Sequence, residues 1–150
     1  MKNNKLTIYL AGKMSGLNKN DYCKWRSELT DALIDKSFLV GSSIQIINPT
    51  DYFDFEDMDR HSQKEVMQFD LNMVRQSDIV IVNVNGVSSS IGTAIELYEA
   101  NRLNIPVIAY TDRDVADDIH PWIENCFSTV QMSKDELIDY IRDFYMVRYM

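Results

Sequence analysis

Two acidic side chains stand where a helical pattern asks for something apolar. At about 100° per residue, Lys64, Glu65, Gln68, Asn72, Arg75 and Gln76 fall on one polar arc. Val66, Met67, Phe69, Leu71, Met73 and Val74 fall on the other, with Asp70 at its centre. A carboxylate directed with an apolar face is costly unless it is paired or hydrogen-bonded. Two accounts fit: a structural Asp bonded to a nearby loop backbone, or a carboxyl whose pKa is raised so that it passes protons. The second acid is Glu96, in the run Ser88-Ser89-Ser90-Ile91-Gly92-Thr93-Ala94-Ile95-Glu96. Thr93-x-x-Glu96 has the spacing of a capping box, in which Glu at N3 bonds back to the N-cap amide. Glu96 also shares a helix face with Ala100 and Leu103, whereas Glu99 shares one with Arg102. Glu96 is therefore the inward-facing acid and Glu99 the solvated one, and a cap and a reactive carboxylate both remain open.

The third feature is a pair of hydroxyl- and glycine-bearing loops, Gly12-Lys13-Met14-Ser15-Gly16 and Ser88-Ser89-Ser90-Ile91-Gly92, each preceding a helix. Amides at a helix N-terminus together with serine hydroxyls make an anion site. Neither loop matches a P-loop or a GxGxxG pattern, which argues against an ATPase or an NAD dehydrogenase.

The elements that must position these groups follow from the hydrophobic pattern. Strands are expected at Leu6 to Leu10, Ile44 to Ile47, Ile79 to Val84, Val107 to Tyr110 and Ser128 to Gln131. Helices are expected from about Asp21 (with Tyr22, Trp25, Leu29 and Leu33 on one face), from Lys64 to Gln76, from Thr93 to Leu103 and from Lys134 to Tyr145. Asn48-Pro49 stops the second strand, because the residue before proline is pushed out of helical geometry, and Asp51 to Arg60 reads as an acidic, aromatic loop. Strands alternating with helices imply βαβ units and a mostly parallel sheet covered on both faces. The expected fold is a single-domain, flavodoxin-like, doubly wound α/β sheet of five strands in the order 2-1-3-4-5, spanning residues 1–150. Ligands in such sheets bind outside the carboxyl ends of the strands, which nominates Tyr9 to Gly16, Asn48 to Phe55 and Asn85 to Thr93.

Composition narrows the partners. With 150 residues the chain can bury one core without staples, and 25% charged with 45% hydrophobic residues is ordinary for a globular domain. The net charge of −8 comes without a basic cluster, so a nucleic-acid polymer, whose phosphates need many Lys and Arg, is not expected. Cys23 and Cys126 form no metal or redox spacing and read as reduced thiols. The apolar stretch in the first residues is too short for a signal peptide or a membrane span, which places the expectation in the cytoplasm with no membrane partner.

Taken together, Ile8-Tyr9-Leu10-Ala11-Gly12, Asn48-Pro49, Asp70-Leu71, Ser77-Asp78, Gly92-Thr93-Ala94-Ile95-Glu96-Leu97 and Pro106-Val107-Ile108 resemble the nucleoside 2-deoxyribosyltransferase family. The resemblance implies an enzyme of nucleotide metabolism and salvage, with Glu96 as nucleophile, Tyr9 holding it, and Asp70 acting near base and sugar. It implies a small-molecule deoxynucleoside or deoxynucleotide substrate, a covalent glycosyl-enzyme with retained configuration, and no cofactor or metal. The acids Asp54, Glu56, Asp57 and Asp59 read as a solvated loop rather than a cation site. One position departs from the pattern. Members acting on free nucleosides usually carry an Asp six residues before the nucleophile, where this chain has Ser90. The related 2′-deoxynucleoside 5′-monophosphate N-glycosidases place a serine there to bind phosphate. Ser88, Ser89, Ser15 and Lys13, with the backbone of Gly12, Gly16 and Gly92, could complete such a pocket. Gly92-Thr93-Ala94-Ile95-Glu96 is closer to the transferase version of the motif. In the family, the segment corresponding to Ile119-His120-Pro121-Trp122-Ile123 reaches into a neighbouring subunit's site, which implies a homodimer or higher homo-oligomer with His120 and Trp122 near a base. Three activities stay open: a deoxyribosyltransferase, a deoxynucleotide N-hydrolase, and a nucleotide-sensing module without turnover.

Overall fold

The first strand sets the architecture. In the computed structural model, which describes residues 4–54, 62–111 and 119–150, β1 (Leu6–Ala11) is buried along its whole length. A strand apolar on both faces must be covered on both. Side chains alternate along a strand, so Leu6, Ile8 and Leu10 enter one core with Leu29, Leu33, Leu137 and Ile141. Tyr9 and Ala11 enter the opposite core, with Val74, Leu97 and Ala100. That alternation decides on which side of the sheet the Tyr9 hydroxyl can act.

Five strands form one parallel sheet in the order β2-β1-β3-β4-β5, as expected. They are β1, β2 (Ile44–Ile47), β3 (Ile79–Asn83), β4 (Val107–Tyr110) and β5 (Thr129–Gln131). The helices are α1 (Lys19–Val40), α2 (Gln63–Arg75), α3 (Ile91–Arg102), α4 (Pro121–Glu124) and α5 (Lys134–Tyr140). Helix α1 starts at Asn18, whose side chain accepts from the Asp21 amide at 2.9 Å. It stops at Gly41, where φ of 72° sends the amide back to the Phe38 and Ser37 carbonyls. Helix α2 opens with an N-cap that the sequence reading passed over: Ser62 accepts from the Glu65 amide at 3.1 Å, and its hydroxyl donates to the Glu65 carboxylate at 2.9 Å.

Two expectations change. The last helix is not continuous from Lys134 to Tyr145: α5 gives way to a π-helical turn at Ile141–Tyr145 and a 3-10 turn at Met146–Tyr149. The wider turn lets Ile141, Tyr145 and Met146 all bury, which a regular helix would spread around its axis. The short α4 was not expected at all. Of the acidic loop, Asp54 pairs with Lys19 at 3.5 Å, while Glu56, Asp57 and Asp59 lie outside the described residues. No helix among those described is long and apolar enough to cross a membrane.

Candidate functional site

Helix α3 begins two residues earlier than Thr93, and this changes the role open to Glu96. Ser90 occupies the N-cap position with extended backbone, yet its hydroxyl meets the Thr93 hydroxyl at 2.7 Å instead of capping an amide. Glu96 is then in the second turn, out of reach of a capping box, and the cap account of Thr93-x-x-Glu96 is corrected. Its carboxylate instead accepts a hydrogen bond from the Tyr9 hydroxyl. Tyr9 is wholly buried in the sheet and is delivered to this side by the alternation of β1.

Glu96 opens into a cavity of about 400 Å³, within the size range of small-molecule sites. The end of β1 and its loop contribute Gly12, Met14 and Ser15; α2 contributes Gln63, Val66, Met67, Asp70 and Leu71; the start of α3 contributes Ser90, Gly92, Thr93, Ile95 and Glu96. The apolar members can take a flat ring, and the polar ones converge on Glu96 and Asp70. Asp70 has not found the loop backbone that a purely structural role requires, since its Oδ1 is buried with no hydrogen-bond partner among the described residues.

The electrostatics follow from burial. Loss of water around Glu96 pushes its carboxyl up to about 8; the Tyr9 hydrogen bond and the Arg26 charge act against this, and the Asp70 charge adds to it. Burial likewise raises Asp70 to about 6, with Arg26 pulling it down. Burial first, then the Glu96 and Asp70 charges, hold the Tyr9 phenol well above its usual value, so it stays a donor.

The cavity thus gathers Gly12, Ser15, Asp70, Ser90, Gly92 and Glu96, with Tyr9 beneath. Lys13 lies at the rim, its ammonium donating to Ser89 at 2.7 Å, so the loops after β1 and β3 are tied together. Gly16 adopts a φ of 78° in the turn beyond the cavity. Ser88 accepts from the His120 amide at 2.9 Å, and His120 Nδ1 accepts from the Trp122 amide. Neither ring lines the cavity, and Trp122 is 80% exposed. The nominated Asn48 to Phe55 segment, whose last residue lies outside those described, also stays out of the cavity. Tyr52 and Phe53 pack on Phe69 instead. Glu99 was expected to be solvated and is mostly covered, because its helix face meets α2: Arg75 and Arg102 clamp it at 2.9 and 2.7 Å.

Besides the apolar wall of Val66, Met67, Leu71 and Ile95, two polar residues escaped the sequence reading. Gln63 lines the cavity seven positions before Asp70 on the same face of α2, roughly 10 Å along the helix axis. Arg26 is fully buried under the end of β1. The signal was present for Arg26, which shares the arc of Tyr22, Leu29 and Leu33 just as Asp70 shares that of Val66 and Val74. Arg26 and Trp25 also fix the approach at Gly12, where an added Cβ would stand 2.6 Å from the Trp25 ring. Gly12→Ala is expected to destabilise the protein by about 1–3 kcal/mol, the usual range for overpacking. Thermal unfolding measures it, and an unchanged Tm would show that β1 has room to move.

The sequence profile described as nucleoside 2-deoxyribosyltransferase matches residues 8–135. No curated protein matches the chain in sequence. Among solved structures, a conserved protein from Enterococcus faecalis V583 superposes with a TM-score of 0.76 at 17% identity, over 93% of this chain and 98% of that one. A 2-deoxyribosyltransferase from Bacillus psychrosaccharolyticus gives 0.66 at 20% identity, over 89% and 91%. A 2-desoxiribosyltransferase from Leishmania mexicana gives 0.59 at 16% identity, over 93% and 98%. These structures share the fold.

Proposed function

The chain belongs to the nucleoside 2-deoxyribosyltransferase family, and from that premise we propose that it cleaves the N-glycosidic bond of 2′-deoxyribonucleosides through a deoxyribosyl-Glu96 intermediate and transfers the sugar to another nucleobase. The observation that carries this reading is the Tyr9–Glu96 hydrogen bond at the wall of a cavity that Asp70 also lines. A Glu held by a phenol from another element, with an oxygen free to face a ligand, is arranged as a nucleophile rather than as a cap.

In the first half-reaction a Glu96 oxygen bonds to C1′, and the C1′–N bond breaks with its electron pair leaving on the base. Protonated Asp70 supplies the proton the departing base needs. In the second half, a nitrogen of the incoming base attacks C1′ from the face the first base left, opposite Glu96; the C1′–O bond breaks with its electrons returning to the carboxylate, and Asp70 takes the proton back, so configuration is retained. Tyr9 restrains the carboxylate throughout. Lacking a 2′-hydroxyl, deoxyribose reaches the oxocarbenium-like state more easily, which suits a deoxy preference. Between about 6 and about 8 the pair carries one proton, held by Glu96 before substrate binds, so the productive complex is the form in which that proton has passed to Asp70 and Glu96 is ionised.

A second reading is favoured by the rim. Lys13 and Ser89 are paired beside Ser90, and Gly12, Ser15 and Gly92 line the adjoining wall. These groups suit a 5′-phosphate, with water replacing the acceptor base, as in a 2′-deoxynucleoside 5′-monophosphate N-glycosidase. The exposed Trp122 suits a homo-oligomer in which it approaches a neighbouring copy's cavity. Incubation with a deoxynucleoside plus a second base, and separately with each deoxynucleoside monophosphate, tests the proposal. Base exchange is the expected result. Release of deoxyribose 5-phosphate would support the second reading, and tight binding without product from any substrate would leave a sensing module.

A further inference from the structure

Arg26 is a full positive charge with no exposed surface and no ion pair among the described residues. Its Nη1 donates to the Tyr22 carbonyl at 2.6 Å and its Nη2 to the Gly12 carbonyl at 2.9 Å. Its Nε is buried without a partner, and the guanidinium stacks 4.4 Å from the centre of the Trp25 ring. Backbone carbonyls and a ring face are poor repayment for removing a guanidinium from water. Replacing such a group by an apolar one of similar volume is often neutral or stabilising. Its presence at this place calls for another role, and its surroundings supply one: the carboxyls of Glu96 and Asp70 are drawn from two other helices toward the same end of β1.

We propose that Arg26 is a positioning residue for the Glu96–Asp70 pair: it holds the end of β1 through the Gly12 carbonyl and places a buried countercharge behind the nucleophile. The inference rests on the reading of Glu96 as nucleophile. Among the described residues, the titratable groups facing Glu96 are Tyr9 from β1, Asp70 from α2 and Arg26 from α1. Those facing Arg26 besides these are Cys23 and Tyr110. Glu99, on the same helix as Glu96, is occupied by Arg75 and Arg102. Two carboxyls and a phenol crowd the site, and the Arg26 charge favours the ionised form of both acids. Without it, both must hold their protons to higher pH, and the proportion of enzyme able to attack C1′ falls. Arginine suits this place better than lysine, because its planar fork reaches two carbonyls at once and its charge persists when buried.

The test is the pH profile of kcat/KM for base exchange in Arg26→Met and Arg26→Lys, alongside a ¹³C titration of the Glu96 carboxyl, which reads the nucleophile without turnover. Arg26→Met should move the acid limb and the Glu96 titration upward by about one pH unit or more, a loss of about tenfold on the acid side, mainly in kcat. Arg26→Lys should restore most of the limb while recovering only part of kcat, because one carbonyl bond is lost. A folded Arg26→Met with an unmoved limb and titration, whatever its Tm, overturns the proposal and leaves a structural staple. Should Arg26→Met not fold, Arg26→Gln, which keeps a donor and removes the charge, must show the same shift, and an unmoved Gln variant also overturns it. Failure of the nucleophile reading is seen separately, as turnover that survives Glu96→Ala.

Discussion

Glu96→Ala is expected to lower kcat for base exchange, or for hydrolysis, by about 10⁴-fold or more, equivalent to at least about 5 kcal/mol of lost transition-state stabilisation. Removing the carboxylate removes the atom that bonds to C1′, so no positional adjustment of neighbours replaces it. Tyr9 is left with a buried hydroxyl and no acceptor, and Asp70 has a proton to deliver but no partner in the displacement. Substrate binding should change far less, because the apolar wall of Val66, Met67, Leu71 and Ile95 is untouched. Steady-state kinetics with a deoxynucleoside and a second base measure the loss. Mass spectrometry of enzyme quenched during turnover should show a deoxyribosyl adduct in the wild type and none in the variant. A Glu96→Ala protein that turns over normally would sink the mechanism.

The same carboxyl should limit stability in a pH-dependent way. Its value rises from the ordinary 4.5 to about 8 on folding, chiefly through burial. Below about 4.5 it is protonated in both states and favours neither. Between 4.5 and 8 the unfolded chain ionises while the folded protein keeps its proton, so the unfolded state binds fewer protons and stability falls with rising pH. At about 1.4 kcal/mol per unit, and allowing for the opening to the cavity, roughly 2–4 kcal/mol is lost by pH 8. Glu96→Gln keeps the shape and an acceptor for Tyr9 but cannot ionise. It should be more stable than wild type by roughly that amount at pH 8, with the difference vanishing near pH 4.5. Denaturant unfolding at both pH values measures it. Parallel curves for the two proteins would mean that Glu96 is not desolvated as its surroundings require. Asp70, raised to about 6, contributes in the same direction over a lower window, so Asp70→Asn should flatten only the part below about 6.

The fold was legible because it depends on short-range patterns. Leu6 to Ala11 is apolar apart from Thr7, which marks a strand covered on both faces. Pro49 punctuates the chain where β2 ends. Asp70 and Glu96 stood out by the same logic, as charges on apolar arcs, and the family resemblance gave them chemistry and added Tyr9. The rest depended on what other segments bring. Thr93-x-x-Glu96 satisfies a capping rule perfectly well on paper; the helix started at Ile91 instead, and a phenol from β1 claimed the carboxylate. Glu99 had only Arg102 near it in sequence, and α2 brought Arg75 and covered it.

By itself, then, the sequence determined the parallel sheet and its order, the family, and the two acids worth testing, because periodicity and motif spacing are local properties of the chain. The resemblance already implied that Tyr9 holds Glu96; tertiary structure alone decided that Ser15, Ser90 and Asp70 share one cavity while His120 and Trp122 do not line it, and that Arg26 is buried at the end of β1 beneath it. Those contacts join residues from separate elements, and the free energies involved, desolvation and charge across a few ångströms, exist only once the elements have packed.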